Sequence, residues 1–336
     1  MKTIITAPFT DSEIDELREA GLDIDHRSWL NTGKLYLGDS FLEIIKEGGF
    51  EVAIVEGDEI KEEVIENSEL KLIGCVRGSP NNISLPAATA KGIPVIAAVG
   101  RNIVAVAELT ISLMLSQIRR IVAADRLLRD DFMVDDFGDF AKLYTHSMGQ
   151  ELNGKTVGVI GLGKIGFEVA KRLLAFGVDI LVNDPYAPID RIKEINGESV
   201  TFEKLLRKSD IVTVHCAPTD ETKGLLGKEQ FSMMKKSAIF INTARASITD
   251  EYALLDALKS GTIAGAALDV FSMEPVDCDN IFLELDNVTV SPHIGGNTHE
   301  TIQRQSEILT RNIKTFLEGG IPDNVLNPEV IKMRRV

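Results

Sequence analysis

Three side chains of the kinds that grip carboxylates and move protons stand at the ends of apolar runs late in the chain. Arg245 follows "SAIFINTA", Glu274 lies in "GAALDVFSMEP", and His293 lies in "SPHIGG", just after the run Val288 to Val290. An arginine at the carboxyl end of a buried parallel strand points into the crevice where such sheets take ligands. Its planar fork suits a carboxylate, held by two parallel charged hydrogen bonds. A carboxylate and a histidine at neighbouring strand ends make a candidate acid–base pair, because the carboxylate would orient the imidazole and favour its protonated form. Taken singly, each residue has a plainer reading: a surface ion pair, a solvated loop charge, a turn histidine beside proline and glycine. Their shared position at strand ends favours chemistry.

A second constellation precedes them. "TVGVIGLGKIGFEVAKRLLAFG" holds Gly161-x-Gly163-x-x-Gly166 between an apolar run and a helical pattern, and a second run, "VDILVND", ends in Asp184. Gly161 permits a tight turn, Gly163 lets a pyrophosphate approach the backbone, and Gly166 lets helix and strand pack closely. The helix N-terminus offers unpaired N–H groups and partial positive charge to phosphates. Asp184 stands 18 residues beyond Gly166 (184 − 166), near the ~20-residue spacing of a carboxylate that binds ribose hydroxyls. It would repel a 2′-phosphate, so the expected cofactor is NAD and not NADP.

The elements that must position these groups are also visible. "KTIIT", "FEVAIV", "LKLIGCV", "TVGVIGLG", "VDILVND", "DIVTVH", "SAIFINT" and "IAGAALDV" are short apolar runs separated by amphipathic stretches, the pattern of buried parallel strands with crossover helices. A long helical pattern runs from Val104 to Arg129, followed by the irregular "DDFMVDDFGDFAKLYTHSMGQ", and another spans Thr298 to Leu317 before the extended "IPDNVLNP". The expected domains are residues 101–295, carrying the glycine loop, and residues 1–100 with 296–336, whose last segment is too short to bury a core alone. Two crossings between them would form a hinged cleft. The 336 residues fit about two domains at ~150 residues each. A formal charge of −15 argues against nucleic acid or an anionic membrane as partner. Cys75, Cys216 and Cys278 are scattered, giving neither a disulfide framework nor a metal cluster. The first residues turn acidic too early for a signal peptide, and no apolar run reaches the ~18 residues of a membrane span. The expectation is a cytoplasmic protein.

From about residue 100 to 296 the chain resembles the NAD-dependent D-isomer-specific 2-hydroxyacid dehydrogenases, a family that includes D-3-phosphoglycerate, D-lactate and glyoxylate/hydroxypyruvate enzymes. The matching segments, in the family's order, are "GVIGLGKIG", "SDIVTVHCAPTDETKGLL", "FINTARASITDEYALLDAL", "GAALDVFSMEP" and "SPHIGG". "NNISLPAATAKGIPV" and "VAVAELTISLML" extend the likeness. The resemblance implies two doubly wound parallel-sheet α/β domains, a Rossmann cofactor domain inserted into a flavodoxin-like substrate domain. It implies hydride transfer between NAD(H) and a D-2-hydroxy acid/2-oxo acid pair. Carried over, Arg245 grips the substrate carboxylate and carbonyl, and Glu274 with His293 forms the acid–base couple. The implied cofactor contacts are Gly161, Gly163, Lys164, Ile165, Gly166, Asp184, His215, Cys216, Pro218, Thr243, Ala244, Arg245, Asp269, His293 and Gly295. Arg77 and Gly78 would touch substrate together with Arg245. The family also implies a homodimer through the cofactor domain, covering Phe132, Met133, Phe137 and Phe140.

Departures from the family pattern bear on the substrate. Ala246 replaces the usual glycine after the arginine. Arg77 stands where the family often has glycine, and Asn81 and Ser84 replace frequent aspartates. Where the phosphoglycerate enzymes commonly carry a basic residue, "EGDEI" is acidic, which argues against a phosphorylated substrate. Arg77 either reaches the distal end of a substrate or pairs with a surface carboxylate. His215 reads as cofactor packing, and His26, His146 and His299 as surface or capping residues. The alternatives are a D-3-phosphoglycerate dehydrogenase specifically and a non-catalytic NAD-sensing corepressor-like protein, which retains the same Arg, Glu and His. Turnover of 2-oxo acids separates the last from an enzyme. Formate dehydrogenases lack a glutamate at the position of Glu274.

Overall fold

The computed structural model describes residues 1–129 and 133–333. It divides into two compact units, Met1–Arg101 with Asn297–Val336, and Asn102–Gly296. Each is built on a wholly parallel sheet between layers of helix. No helix among the described residues is long and apolar enough to cross a membrane.

The first unit has strands β1 (Lys2–Ile5), β2 (Asp23–His26), β3 (Val52–Val55), β4 (Leu72–Cys75) and β5 (Val95–Ala97), ordered β2-β1-β3-β4-β5. This is the flavodoxin-like order. Ile4, Phe41, Ile45 and Phe50 fill one face of the sheet, and Ile5, Leu17, Ile54, Leu309 and Ile313 the other. Leu309 and Ile313 come from the helix His299–Leu317, which Thr298 opens by accepting a side-chain hydrogen bond from the Thr301 amide. Strand β2, "DIDH", has no apolar run to betray it; it pairs only with β1, so the backbone ladder carries it. His26 therefore sits in an edge strand, half-buried, with Nε2 3.3 Å from the Ala7 carbonyl. The tail closes the opposite edge, where Ala97 N donates to Asn324 O (2.9 Å) and Leu326 N to Val95 O (2.8 Å).

The second unit has β6 (Thr156–Ile160), β7 (Asp179–Asn183), β8 (Glu198–Ser199), β9 (Ile211–Val214), β10 (Ile239–Asn242), β11 (Gly265–Leu268) and β12 (Val288–Val290). Their order is β12-β11-β10-β9-β6-β7-β8. The chain runs outward from β6 to β8, then restarts on the other side at β9. That reversal is the topological switch point of a Rossmann sheet, where such folds bind dinucleotides. Val157, Val159, Ile211 and Ile241 face one layer of helices, and Val212, Val214, Phe240 and Leu268 the other.

Two expectations need correction. The helical pattern from Val104 to Arg129 is two helices, Ile103–Ile118 and Ile121–Arg129, parted at Arg120, whose φ of 55° is left-handed and cannot continue an α-helix. The segment read as irregular contains the helix Phe137–His146, opened by the Asp136 side chain accepting from Asp139 N. Phe132 lies outside the described residues.

Asn327 is the pin that holds the tail on the first unit. Buried to 2% exposure, it accepts from Val95 N (2.9 Å) and donates to Ile93 O (2.9 Å). Asn327→Ala would leave a buried N–H and a buried C=O unpaired, at ~1–3 kcal/mol each. The urea midpoint of this unit's transition should fall by an amount equivalent to about 2–6 kcal/mol; an unchanged midpoint would show that the pin carries no stability.

Candidate active site

The glycine loop follows β6, at the switch point, and each glycine has a local reason. Gly161 takes a φ of 87°, and a Cβ there would lie 2.7 Å from Cys216 Cα. At Gly166 a Cβ would run into the Gly161 carbonyl oxygen and come within 3.1 Å of His215 Cβ. Gly163, the residue before the helix Lys164–Leu173, differs: a Cβ would meet nothing within 4 Å. That open space lies at a helix N-terminus whose first-turn N–H groups have no intrahelical partner, which is what a pyrophosphate requires. Lys164 is exposed and Ile165 half-buried beside it. Asp184, at the end of β7, reaches back to the same loop. Its Oδ2 accepts from Leu162 N (2.7 Å) and its Oδ1 from Tyr186 N (2.9 Å). One carboxylate thus fixes the loop and keeps further lone pairs for ribose hydroxyls.

His215 and Cys216 follow β9 on the other side of the switch point, with Pro218 exposed beyond them. His215 is half-buried as a residue, its surroundings desolvate the ring, and burial pushes its pKa down to about 3. Its Nε2 lies 2.9 Å from Thr213 Oγ1. Burial likewise raises the Cys216 thiol. A neutral imidazole and a protonated thiol make a packing surface and not a proton relay.

The next three strand ends carry the remaining residues. After β10, Asn242 shapes the loop: its Oδ1 accepts from Ala244 N (3.0 Å) and its Nδ2 donates to Arg245 O (3.1 Å). Thr243 Oγ1 lies 2.8 Å from Thr110 Oγ1, tying the loop to the helix Ile103–Ile118. Arg245 is exposed, its Nη1 donates to Ala244 O (2.6 Å), and among the described residues it forms no ion pair. Its fork is directed by the loop and left without a carboxylate.

After β11 comes Asp269, 1% exposed. Its Oδ1 accepts from Ser291 Oγ (2.6 Å) and Ile294 N (2.9 Å), and its Oδ2 from Gly295 N (2.8 Å). All three donors belong to the "SPHIGG" loop after β12. The carboxylate is a clamp for the loop that carries His293, work that the resemblance did not imply. Gly295 has no room for a side chain, since a Cβ would stand 3.0 Å from Asp269 Oδ2.

Within that clamp His293 takes a φ of 54°, a left-handed backbone that ordinary residues avoid, and its N–H donates to Ser291 O (3.0 Å). The ring meets Glu274, with Nδ1 2.6 Å from Oε2. Glu274 Oε1 in turn accepts from Phe271 N (3.0 Å), so one oxygen anchors the carboxylate and the other faces the imidazole. With Nδ1 turned to Glu274, Nε2 is the nitrogen left for a reacting group. Asn242 and Ser291 were missed in the sequence. Asn242 had a signal, the Asx turn that a residue of its type makes with the backbone two positions on; Ser291 had none, because its partner lies on another strand.

Arg77 and Gly78 belong to the other unit, after β4. Arg77 is half-buried, its Nη1 3.5 Å from Asn81 Oδ1, and among the described residues it has no carboxylate partner. A Cβ on Gly78 would come within 3.3 Å of Val99 Cα. The acidic "EGDEI" is partly structural: Glu56 pairs with Arg101 (2.6 Å) and accepts from Trp29 Nε1 (3.0 Å). Asp58 is fully buried and accepts from Thr6 Oγ1 (2.6 Å) and Tyr36 N (2.9 Å).

Comparison with known proteins follows the same lines. Residues 111–295 match the NAD-binding domain of the D-isomer specific 2-hydroxyacid dehydrogenases. The chain is 39% identical over 330 residues to a D-3-phosphoglycerate dehydrogenase of Archaeoglobus fulgidus, covering 97% of this chain but only 59% of that relative's length. It is 39% identical over 281 residues to a glyoxylate reductase of Korarchaeum cryptofilum, covering 82% of each. Its fold superposes on the apo structure of D-lactate dehydrogenase from Escherichia coli with a TM-score of 0.80 at 26% identity, covering 97% of this chain and 100% of that one. With a glycine loop at the switch point and an Arg, Glu and His at successive strand ends, the chain belongs to the D-isomer specific 2-hydroxyacid dehydrogenase family, and its Asn102–Gly296 unit carries that family's NAD-binding domain.

Proposed function

We propose that the protein interconverts a 2-oxo acid and its D-2-hydroxy acid with NAD(H). The Asn102–Gly296 unit would bind the cofactor and the other unit the substrate, with Arg77 and Gly78 contributing. The observation that carries the reading is the 2.6 Å His293–Glu274 pair at the same sheet edge as the glycine loop. The bound nicotinamide supplies or accepts a hydride. The chain's own residues do the rest. Arg245 holds the substrate carboxylate and stabilises the negative charge that grows on the carbonyl oxygen, so orientation and charge stabilisation come from one group. His293 Nε2 gives that oxygen its proton, while Glu274 at Nδ1 holds the ring's orientation and stabilises the imidazolium. Asp269 keeps the histidine loop in place. The acidity of "EGDEI" is partly spent inside the fold, on Arg101, Thr6 and Tyr36, and so weighs little against a phosphorylated substrate. The three free cysteines fit a reducing cytoplasm.

Substitutions separate these roles. His293→Ala should lower kcat for 2-oxo acid reduction by about 10²–10⁴-fold while NADH still binds. Arg245→Lys should chiefly raise KM, since an ammonium cannot reproduce the two-pronged grip. His215, with its pKa pushed down to about 3, stays neutral across the working range. His215→Gln should therefore leave the pH of the activity limb unmoved. A limb that shifts with His215, or full activity in His293→Ala across a panel of 2-oxo acids, would sink the assignment.

Cofactor preference tests Asp184. A 2′-phosphate next to this carboxylate is repelled, so kcat/KM with NADH should exceed that with NADPH, and Asp184→Ala should narrow the gap. Equal efficiency with both cofactors in the unsubstituted protein would refute the reading.

We further infer a two-fold homodimer through the Asn102–Gly296 unit. Met133 and Phe137 are 70% and 81% exposed, with Phe140 and Tyr144 exposed beside them, an apolar patch that calls for cover. Light scattering at micromolar concentration should give twice the chain mass of 36.8 kDa; a monomer would overturn this.

A further inference from the structure

The helix Glu251–Lys259 begins with a carboxylate that its own cap does not need. Asp250 already fills that role, its Oδ1 accepting from Tyr252 N (3.0 Å) and Ala253 N (3.1 Å). A glutamate in a first turn is ordinarily a solvated partner of the helix dipole. Glu251 instead reaches a residue 21 positions on. Its Oε1 accepts from Ser272 N (2.8 Å) and its Oε2 from Ser272 Oγ. Both oxygens of one half-buried carboxylate close on a single residue.

Ser272 stands two residues before Glu274, in the turn after β11. The Phe271 side chain roots that turn in the core, but Ser272, Met273, Glu274 and Pro275 are all exposed, so packing does not fix them. The Glu274 bond to Phe271 N closes the turn on itself. Among the described residues, and apart from the His293 contact, Glu251 is the one side chain outside the turn that hydrogen-bonds residues 272–275. The other end of the link is also fixed. Asn242 Nδ2 donates to Arg245 O (3.1 Å) and to Thr249 Oγ1 (3.4 Å), and Thr249 N donates to Ala246 O (2.8 Å). A carboxylate two residues past Thr249 therefore ties the turn after β11 to the loop after β10.

We propose that Glu251 is a positioning residue: it holds the Glu274 turn against the segment that carries Arg245, and so keeps the Glu274 carboxylate against His293 Nδ1. Its effect on catalysis rests on the proposed 2-oxo acid reduction; its effect on the Glu274–His293 pair does not. Hydrogen bonds to a carboxylate are about twice as strong as neutral ones, which suits an anchor for a turn without packing. A shift of about 1 Å originating away from the reacting atoms can cost about 10²-fold in rate. Glutamine at this position keeps both links, because its amide oxygen accepts from Ser272 N and its amide nitrogen donates to Ser272 Oγ. Alanine keeps neither.

Ring-nitrogen NMR of the full chain carrying isotope-labelled histidine tests the proposal, with the His293 signals assigned by their loss in His293→Gln. Glu274→Gln marks where those signals go when the carboxylate is removed. At one fixed pH, Glu251→Ala should displace them most of the way to that mark, while Glu251→Gln should leave them near their place in the unsubstituted protein. In parallel, kcat for 2-oxo acid reduction should fall by about 10–10²-fold in Glu251→Ala, with KM little changed because Arg245 still holds the carboxylate, and Glu251→Gln should restore it. Asp250 still caps the helix in both variants, so the fold persists. Unmoved His293 signals in Glu251→Ala, with or without a lower melting temperature, would overturn the proposal. Equal displacement in the alanine and glutamine variants would overturn it too, since charge and not geometry would then be at work. A chain that reduces no 2-oxo acid would overturn the proposed reaction alone, because the ring signals decide the positioning without turnover.

Discussion

The buried Asp269 carboxylate is the interaction on which the proposed chemistry depends. A charge removed from water must be repaid by hydrogen bonds, and Asp269 receives three, all from the five residues after β12. Charge-assisted bonds of this length are about twice as strong as neutral ones. Together they impose a shape on the Ser291–Gly295 loop that its own propensities would not choose, with a histidine in a left-handed conformation. That shape turns the imidazole toward Glu274, itself held by the Phe271 amide. The acid–base pair is thus the visible end of a chain of constraints that begins at the end of β11.

Placement of the other groups follows from parallel strands. Because every strand of the second sheet runs the same way, the loops after β6, β9, β10, β11 and β12 all leave from one edge. Residues far apart in sequence therefore line a common rim, with the glycine loop and His215 flanking the switch point and Arg245, Asp269 and His293 following in strand order. Close packing sharpens the arrangement. Gly161 and Gly166 have no room for side chains against Cys216, His215 and each other, while Gly163 opens onto free space. Desolvation then divides the labour between two histidines: the one at β9 is kept neutral by burial, and the one at β12 stands half-exposed opposite a carboxylate.

The first unit shows how sequence charge misleads when its partners are unseen. "EGDEI" looks like an acidic rim, yet Glu56 is matched by Arg101 and Asp58 is a buried acceptor for Thr6 and Tyr36. The exposed run of the second unit misleads in the opposite sense, since its acidic, glycine-containing stretch conceals a helix, Phe137–His146.

By itself the sequence determined the fold class, the cofactor loop and the Arg245, Glu274 and His293 constellation. Each is written in local terms: apolar runs of strand length, glycines at fixed spacing, and motifs that hold their chemistry within a few residues. Only tertiary structure decided what depends on partners brought from elsewhere in the chain. It gave Asp269 the work of a loop clamp, because its donors lie in the loop after the next strand. It showed that β2 is a strand despite "DIDH", since β1 supplies the ladder, and that a continuous helical pattern breaks at Arg120, whose left-handed backbone no periodicity records. Pairing, burial and backbone strain are properties of neighbours in space, and a linear pattern holds no record of them.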